Sequence, residues 1–313
     1  MHKTLDKRFA EVYNNAIFAG TVAEIANLFI GILQNRQYER KRRRFMKKFV
    51  TIMLAVVMCL TIGAAAVGCG GNSKEKLIVY TEAGFAPWEF IEKGTTNIVG
   101  VDIEIAKYIA DKYDYELEII NGSFDTIVAG INEDNALGIA GISYNEERAE
   151  AVEFSDFYWG SAYQAVVYKK SDAPTLTDGK FAVSNFQGKN VVYQTGTTSQ
   201  ITISDNEEAW GIAGTASFAQ VLAALEDMKT SENKYLIVDS DVAAQLVAND
   251  DTIAYAAIEG VEAEQYGVVA KKGNTELIQK VNAALAELLE EDSNGENQIE
   301  KWFVQYSAVE AEE

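Results

Sequence analysis

Short apolar runs rich in β-branched residues alternate with amphipathic segments along most of the chain. In the segment VDIEIAKYIADK, Ile105, Tyr108 and Ile109 recur at helical spacing, so they form one apolar face. The predicted strands are 77–81, 117–120 and 137–142, and the predicted helices are 101–112 and 124–131. Because strands alternate with helices, the pattern predicts an α/β sheet.

Two junctions place polar residues next to a predicted helix. Asn145 is a candidate N-cap, with Glu146 and Glu147 in the first turn, where acidic side chains suit the helix dipole. Asp239 closes the β-rich run 235–238, just before the predicted helix 242–247. In an open α/β sheet, ligands bind at the ends of such strands.

An uncharged apolar run at 49–68 follows Met46-Lys47-Lys48 and precedes Cys69. A basic start, an apolar middle and small residues before a cleavage point are typical of a secretory signal, here 46–68. The sequence before Cys69 resembles a bacterial lipobox, although Ala66 stands where leucine is usual. That resemblance implies lipidation of Cys69 and a tether at 69–76. The alternative is an uncleaved transmembrane anchor, since about 20 apolar residues can span a bilayer.

Residues 1–45 precede this signal and contain the basic cluster 40–44. We interpret them as a mis-assigned N-terminal extension, with translation starting at Met46. A cytoplasmic regulatory arm is the alternative, since basic clusters beside apolar runs favour the cytoplasmic face of a membrane.

Charged residues are distributed unevenly along the chain. Residues 1–68 hold 11 of the 27 Lys and Arg but four of the 47 Asp and Glu, so the remainder carries a net charge of −27. Because an acidic body repels phosphate backbones, the sequence disfavours nucleic-acid binding.

The distribution of histidine and cysteine restricts the possible chemistry further. His2 is the only histidine, and Cys59 and Cys69 are the only cysteines. The body after Cys69 therefore lacks the residues for a Ser-His-Asp triad, a thiolate or imidazole zinc site, or a disulfide framework. We expect no metal and no cofactor.

From Leu77 to about Phe303, the chain resembles the extracellular solute-binding proteins that deliver polar amino acids to ABC importers. The resemblance depends on the order and spacing of several motifs. They are 85–90 (FAPWEF), 100–106 (GVDIEIA), 140–143 (AGIS) followed by Arg148, 153–155 (EFS), 188–189 (GK), 194–198 (QTGTT), 237–240 (IVDS), 266–267 (YG), 271–273 (KKG) and 301–303 (KWF).

The resemblance implies a two-lobed, periplasmic-binding-protein-like (type II) fold over 77–313, with a cleft between the lobes. Lobe 1 would comprise about 77–165 and 270–313, and lobe 2 about 166–269. Two hinge crossings are expected near 163–168 and 266–270.

A free amino acid presents a carboxylate, an ammonium and a side chain, so its site needs a cation, an anion and a shaped apolar slot. Arg148 lies one turn into a predicted helix, where a guanidinium and helix amides can bind a carboxylate. Thr198 follows Gly196 and would donate to the same carboxylate from the other lobe. Capping of the following helix is the alternative role for this turn.

By resemblance, Asp239 accepts the ligand ammonium, and Ser143 and Gly141 complete its hydrogen bonds. The alternative for Asp239 is a helix cap. Phe85 and Phe124 occupy positions where relatives place two rings around the ligand side chain. Trp88 and Phe90 are assigned to core packing.

The resemblance also implies residues that select the ligand's side chain. Glu82 aligns with a recognition position that is acidic in relatives binding cationic ligands, and glutamate also occurs there in relatives that bind cystine. Gln194 is the corresponding candidate from the other lobe. A basic or polar side chain is therefore expected.

These expectations describe a surface-tethered, monomeric binding protein, not an enzyme, that passes a polar amino acid to an ABC permease. It would be lipid-anchored on the outer face of the bacterial cytoplasmic membrane. Two alternatives remain: a dehydratase-like enzyme on the same fold with Glu82 as its acid, and a sensory or adhesive module.

Overall fold

The computed structural model describes residues 74–231 and 234–311. The predicted extension, the signal peptide and the lipidation site Cys69 lie outside the described residues, so they stay predictions. Within the described part of the chain, no helix is both long and apolar enough to cross a membrane.

The described strands include several very short ones. They are β1 (Lys76–Thr81), β2 (Gly84–Phe85), β3 (Glu89–Ile91), β4 (Ile98–Val99), β5 (Glu116–Asn121), β6 (Ala136–Gly138), β7 (Val152–Lys169), β8 (Leu176–Thr177), β9 (Lys180–Phe181), β10 (Asn190–Gln194), β11 (Gly214–Phe218), β12 (Lys234–Asp239), β13 (Ile253–Ala257) and β14 (Ala263–Lys271).

Helices connect most of these strands. They are α1 (Val101–Lys112), α2 (Phe124–Gly130), α3 (Glu146–Ala151), α4 (Thr198–Trp210), α5 (Val221–Thr230), α6 (Ser240–Asn249), α7 (Thr275–Leu288) and α8 (Gln298–Tyr306), with two 3-10 turns at Lys170–Asp172 and Val183–Phe186. The α/β prediction is confirmed.

The strands form two groups that long strands join. In lobe 1, β1 pairs in parallel with β5 and β6, and β14 is antiparallel to β6. In lobe 2, β10 pairs in parallel with β11 and β12. The helices α1–α3, α7 and α8 belong to lobe 1, and α4–α6 belong to lobe 2. The carboxyl ends of β1 and β6 in lobe 1, and of β10 and β12 in lobe 2, carry the predicted site residues.

Strand β7 belongs to both lobes. Its residues up to Tyr163 pair with β14, whereas residues 164–167 pair with β12 and residues 165–169 pair with β13. The exchange of partners therefore falls between Tyr163 and Gln164. The second passage between the lobes joins β13 to β14. The first falls at the start of the predicted crossing 163–168, whereas the second lies N-terminal to the predicted crossing 266–270, because an apolar run predicts a strand but not the point at which it changes partner.

The predicted strand 137–142 is too long. Strand β6 ends at Gly138, and the chain then turns through Gly141, which has φ +52. A side chain at Gly141 would place a Cβ atom 2.9 Å from the Phe85 ring. Glycine therefore permits both the left-handed backbone and the close packing of the turn.

A cluster of aromatic rings anchors lobe 1. Trp88 is fully buried and packs edge-on against Trp159 and Tyr266, with ring centroids 5.0 and 5.2 Å away. Such edge-to-face pairs stabilise a core beyond the area that they bury. Phe90 is also buried, so the assignment of Trp88 and Phe90 to the core is confirmed.

Candidate functional site

Arg148 reaches from lobe 1 to lobe 2. Asn145 caps α3 by accepting a hydrogen bond from the Arg148 backbone N–H at 2.8 Å, which fixes the helix start. The guanidinium then donates to the Ser143 carbonyl at 2.7 Å and, across the cleft, to the Gly196 carbonyl at 2.9 Å. It also lies 5.4 Å from the centre of the Phe124 ring.

Burial affects this guanidinium strongly. Arg148 is 8% exposed, and burial lowers its pKa, while the nearby carboxylates Glu264 and Asp239 raise it. It is the only arginine after residue 44. Because a buried guanidinium retains bidentate donor geometry, it suits a carboxylate better than the two carbonyls that it contacts here.

Asp239 ends β12 in lobe 2 and is 5% exposed. Its Oδ1 accepts from the Gln164 amide at 2.7 Å, and its Oδ2 accepts from the Tyr266 hydroxyl. It occupies the N-cap position of α6 but makes no side-chain cap hydrogen bond there, so the helix-cap alternative is wrong. Burial, together with the neighbouring Glu264 carboxylate, raises the pKa of Asp239 to about 8.

In the turn before α4, one threonine caps the helix and the next one contacts a carboxylate in the cleft. Thr197 caps α4 by accepting from the Gln200 backbone N–H, so the adjacent Thr198 is not needed as a cap. The Thr198 hydroxyl instead donates to Glu264 at 2.8 Å. Gly196 has φ +80 and lies so close to α2 that an added Cβ would be 2.8 Å from the Cα of Asp125.

The candidates for side-chain recognition meet across the cleft. Gln194 of lobe 2 donates to the Glu82 carboxylate of lobe 1 at 3.1 Å and to the Ala219 carbonyl at 3.0 Å. Glu82 is 2% exposed, and burial raises its pKa to about 7 although the Gln194 hydrogen bond lowers it. Phe85 and Phe124 are both buried nearby in lobe 1.

Beside this contact, a groove of about 660 Å³ opens between the lobes. Ala83 and Gly84 line it from lobe 1, and Gln220 and Leu222 line it from lobe 2. Because Ala83 and Gly84 directly follow Glu82 in the chain, the groove lies next to the contact between Glu82 and Gln194.

A buried acid, Asp102, positions the turn at Gly141. Asp102 accepts from the Gly141 backbone N–H at 2.7 Å and from the Tyr158 hydroxyl at 3.0 Å. Burial raises the pKa of Asp102 to about 6, and burial together with the neighbouring Asp102 carboxylate raises the pKa of Glu89 well above its usual range. The hydrogen bond that Asp102 accepts from the Gly141 N–H holds the turn before Ser143 in place.

Residues 77–305 match the model of the bacterial extracellular solute-binding proteins, family 3. The chain belongs to this family. The arginine-binding extracellular protein ArtP of Bacillus subtilis is 29% identical over 264 residues, covering 82% of this chain and 98% of ArtP. The ABC transporter arginine-binding protein 1 of Escherichia coli is 28% identical over 268 residues, covering 83% of this chain and all of that protein.

A solved structure supports the same assignment. The amino acid ABC transporter substrate-binding protein AbpA of Streptococcus pneumoniae, bound to L-arginine, has a TM-score of 0.67 and 29% identity, covering 75% of this chain and 96% of AbpA. This solute-binding protein therefore has the two-lobed, type II fold that the sequence motifs implied.

In this family 3 protein, the structure brings together most of the sequence-predicted residues. Arg148, Ser143, Thr198 and Asp239 converge on one polar cluster, and Glu82, Gln194 and Phe85 form its other end. Their roles toward a ligand stay predictions.

Sequence reasoning missed Gln164 and Glu264. Gln164 is completely buried, although it is polar, and it stands alone in the apolar run YQAVV of β7. A single polar residue in such a run indicates a buried partner, so that signal was available. Glu264 follows other acidic residues near the surface, Glu259 and Glu262, and no pattern distinguishes it from them.

Proposed function

We propose that this protein captures a free cationic amino acid of the arginine type outside the cytoplasm and presents it to an ABC permease. The observation that carries the proposal is the position of Arg148 and Asp239. The guanidinium of Arg148 in lobe 1 and the carboxyl group of Asp239 in lobe 2 are both buried, and Asp239 lies close enough to raise the pKa of Arg148. An amino acid's carboxylate and ammonium would bridge them.

The site's charge supports a cationic side chain. The cluster contains one guanidinium, Arg148, and three carboxylates, Asp239, Glu264 and Glu82. Burial raises the pKa of Glu82 to about 7, and a cationic side chain beside it would stabilise the ionised carboxylate. A guanidinium or second ammonium would pair with it. The two arginine-binding relatives and the arginine-bound AbpA support this choice.

Binding would close the lobes because the ligand contacts both of them. A ligand that interacts more strongly with the closed state shifts the population toward it, and a permease can distinguish the closed state. We propose that Cys69 carries a lipid that holds the monomeric protein at the outer face of the membrane. We also propose binding without catalysis, since Glu82 is paired with the amide of Gln194 and not with a base.

The experiment that tests this function compares L-arginine with L-citrulline, its neutral counterpart of nearly equal shape. By isothermal titration calorimetry, the unaltered protein is expected to bind arginine at micromolar or lower Kd and citrulline at least about 30-fold more weakly, since a buried charged hydrogen bond is lost. Lysine, ornithine and cystine belong in the same screen.

Glu82→Gln is expected to weaken arginine binding by at least about tenfold and to leave citrulline binding within about threefold. Glu116→Gln removes a carboxylate from the exposed strand β5 of the same lobe and is the matched control, with no expected change. If cystine bound most tightly and Glu82→Gln did not alter the arginine-to-citrulline ratio, the cationic assignment would be wrong.

A further inference from the structure

A second carboxylate lies beside Asp239. The buried Gln164 amide nitrogen donates to Asp239 Oδ1 at 2.7 Å and to Glu264 Oε1 at 2.8 Å. The orientation of this amide is set from its other end, since Gln164 Oε1 accepts from the Ser199 hydroxyl at 2.6 Å. One amide nitrogen therefore holds both carboxylates at the same place.

Glu264 also determines where two hydroxyl hydrogens point. Its Oε2 accepts from the Ser143 hydroxyl of lobe 1 and from the Thr198 hydroxyl of lobe 2. A hydroxyl has one hydrogen and two lone pairs. With that hydrogen directed at Glu264, Ser143 and Thr198 can only accept further hydrogen bonds from a ligand.

This orientation bears on the expected role of Thr198, whose hydroxyl and amide were both predicted to donate to the ligand carboxylate. In this structure the hydroxyl donates to Glu264 instead. Its backbone N–H, in the first turn of α4, retains that capacity. Once Asp239 is ionised, the side chains of Ser143, Thr198, Asp239 and Glu264 together present only acceptors, which suits an ammonium.

We propose that Glu264 is a second carboxylate for the ligand's ammonium and forms, with Asp239, an anionic clamp that makes binding depend on the α-amino group. The inference rests on the proposed function and adds a residue to it. An ammonium has three hydrogens, so it can donate to Asp239, to Glu264 and to one hydroxyl or carbonyl oxygen.

Glu264 lies where the two lobes meet, so formation of the anionic clamp depends on closure of the lobes. It lies at the start of β14, where it pairs with Ala162 beside the exchange of partners in β7. Its carboxylate is reached from lobe 1 by Ser143 and from lobe 2 by Thr198. The clamp is therefore complete only when the lobes are together.

The charged groups around Asp239 are consistent with an ammonium site between Asp239 and Glu264. Glu264 contributes to the raised pKa of Asp239, and Asp241 acts in the same direction. Tyr266 and Gln164 donate hydrogen bonds to Asp239, and Arg148 is the nearby cation. An ammonium between the two carboxylates would relieve their mutual repulsion.

The test is Glu264→Gln, measured by calorimetry with L-arginine and, by displacement of arginine, with 5-guanidinopentanoate, which is arginine without its α-amino group. We expect arginine to bind about 10- to 100-fold more weakly and the analogue to change by less than about threefold, since the lost hydrogen bond is to a charged group. Glu262→Gln removes an exposed carboxylate two residues away and is expected to change neither value. Glu264→Asp retains the charge and is expected to keep more arginine affinity than Glu264→Gln does.

Three outcomes would overturn the inference. Tighter binding of both compounds by Glu264→Gln would mean that Glu264 competes with the ligand for Ser143 and Thr198. Equal losses for both compounds would mean a structural role, and unchanged arginine binding would mean no role. If the unaltered protein bound no amino acid, the proposed function itself would fail, and the two failures are thereby distinguishable.

Discussion

Arg148→Ala is expected to weaken the binding of L-arginine by about 1,000-fold, because removing one partner of a buried, hydrogen-bonded charge pair typically costs 2–5 kcal/mol. No other arginine follows residue 44, so no second guanidinium can replace the bidentate contact. Calorimetric titration measures the loss. Arg148→Lys keeps the positive charge but not the bidentate geometry of the guanidinium, so it is expected to recover only part of the arginine affinity.

The unliganded protein should tolerate this change. Arg148 is buried and donates to two carbonyls, and burial lowers its pKa, so its removal relieves a desolvation cost while two hydrogen bonds are lost. We expect the melting temperature without ligand to stay within about 4 °C. Lys272→Ala is the matched control, since its Nζ contacts the Ala149 carbonyl on the same helix, α3. Normal arginine binding by Arg148→Ala would refute the carboxylate assignment.

Asp239→Asn is expected to raise stability and to lower arginine affinity as the pH rises from about 4 to about 8. The pKa of Asp239 is raised in the folded state, from 3.8 to about 8, so its contribution to stability is present below its unfolded pKa. That contribution is lost as the pH rises toward 8, at up to about 1.4 kcal/mol per pH unit for one proton. The asparagine variant has no such proton to lose.

Urea unfolding of the unliganded proteins between pH 4 and pH 8 measures this difference. We expect Asp239→Asn to match the unaltered protein near pH 4 and to be increasingly more stable toward pH 8. Raised pKa values at Glu82 and Asp102 add slopes common to both proteins, so subtraction isolates Asp239. Over the same range the variant should bind arginine at least about 100-fold more weakly. Parallel stability curves, or equal losses for arginine and 5-guanidinopentanoate, would contradict the ammonium role.

Much of the fold followed from periodicity. The predicted helix at Val101–Lys112 has the same bounds as α1 in the structure. The helical spacing of apolar residues marks both of its ends. Asn145 caps α3 as expected, since capping is local chemistry. Strand β6 was predicted too long because apolar residues fill both the strand and the buried turn after it.

The sequence motifs identified site residues that stand at the ends of strands and helices. They did not identify a residue whose hydrogen-bond partners lie far away in the chain. Arg148 and Asp239 stand at element ends that the sequence marks. Glu264 acts through Ser143, Thr198 and Gln164, which are 66 to 121 residues away in the chain. Their meeting depends on how β7 and β14 cross between the lobes, and no local pattern encodes that crossing.

The most direct test of the central claim is a crystal structure of the protein with L-arginine. The account predicts a closed cleft in which the ligand carboxylate lies on the Arg148 guanidinium, the α-ammonium lies between Asp239 and Glu264, and the guanidinium meets Glu82. A structure in which the ligand binds elsewhere, while Arg148 still donates to the carbonyls of Ser143 and Gly196, would contradict it.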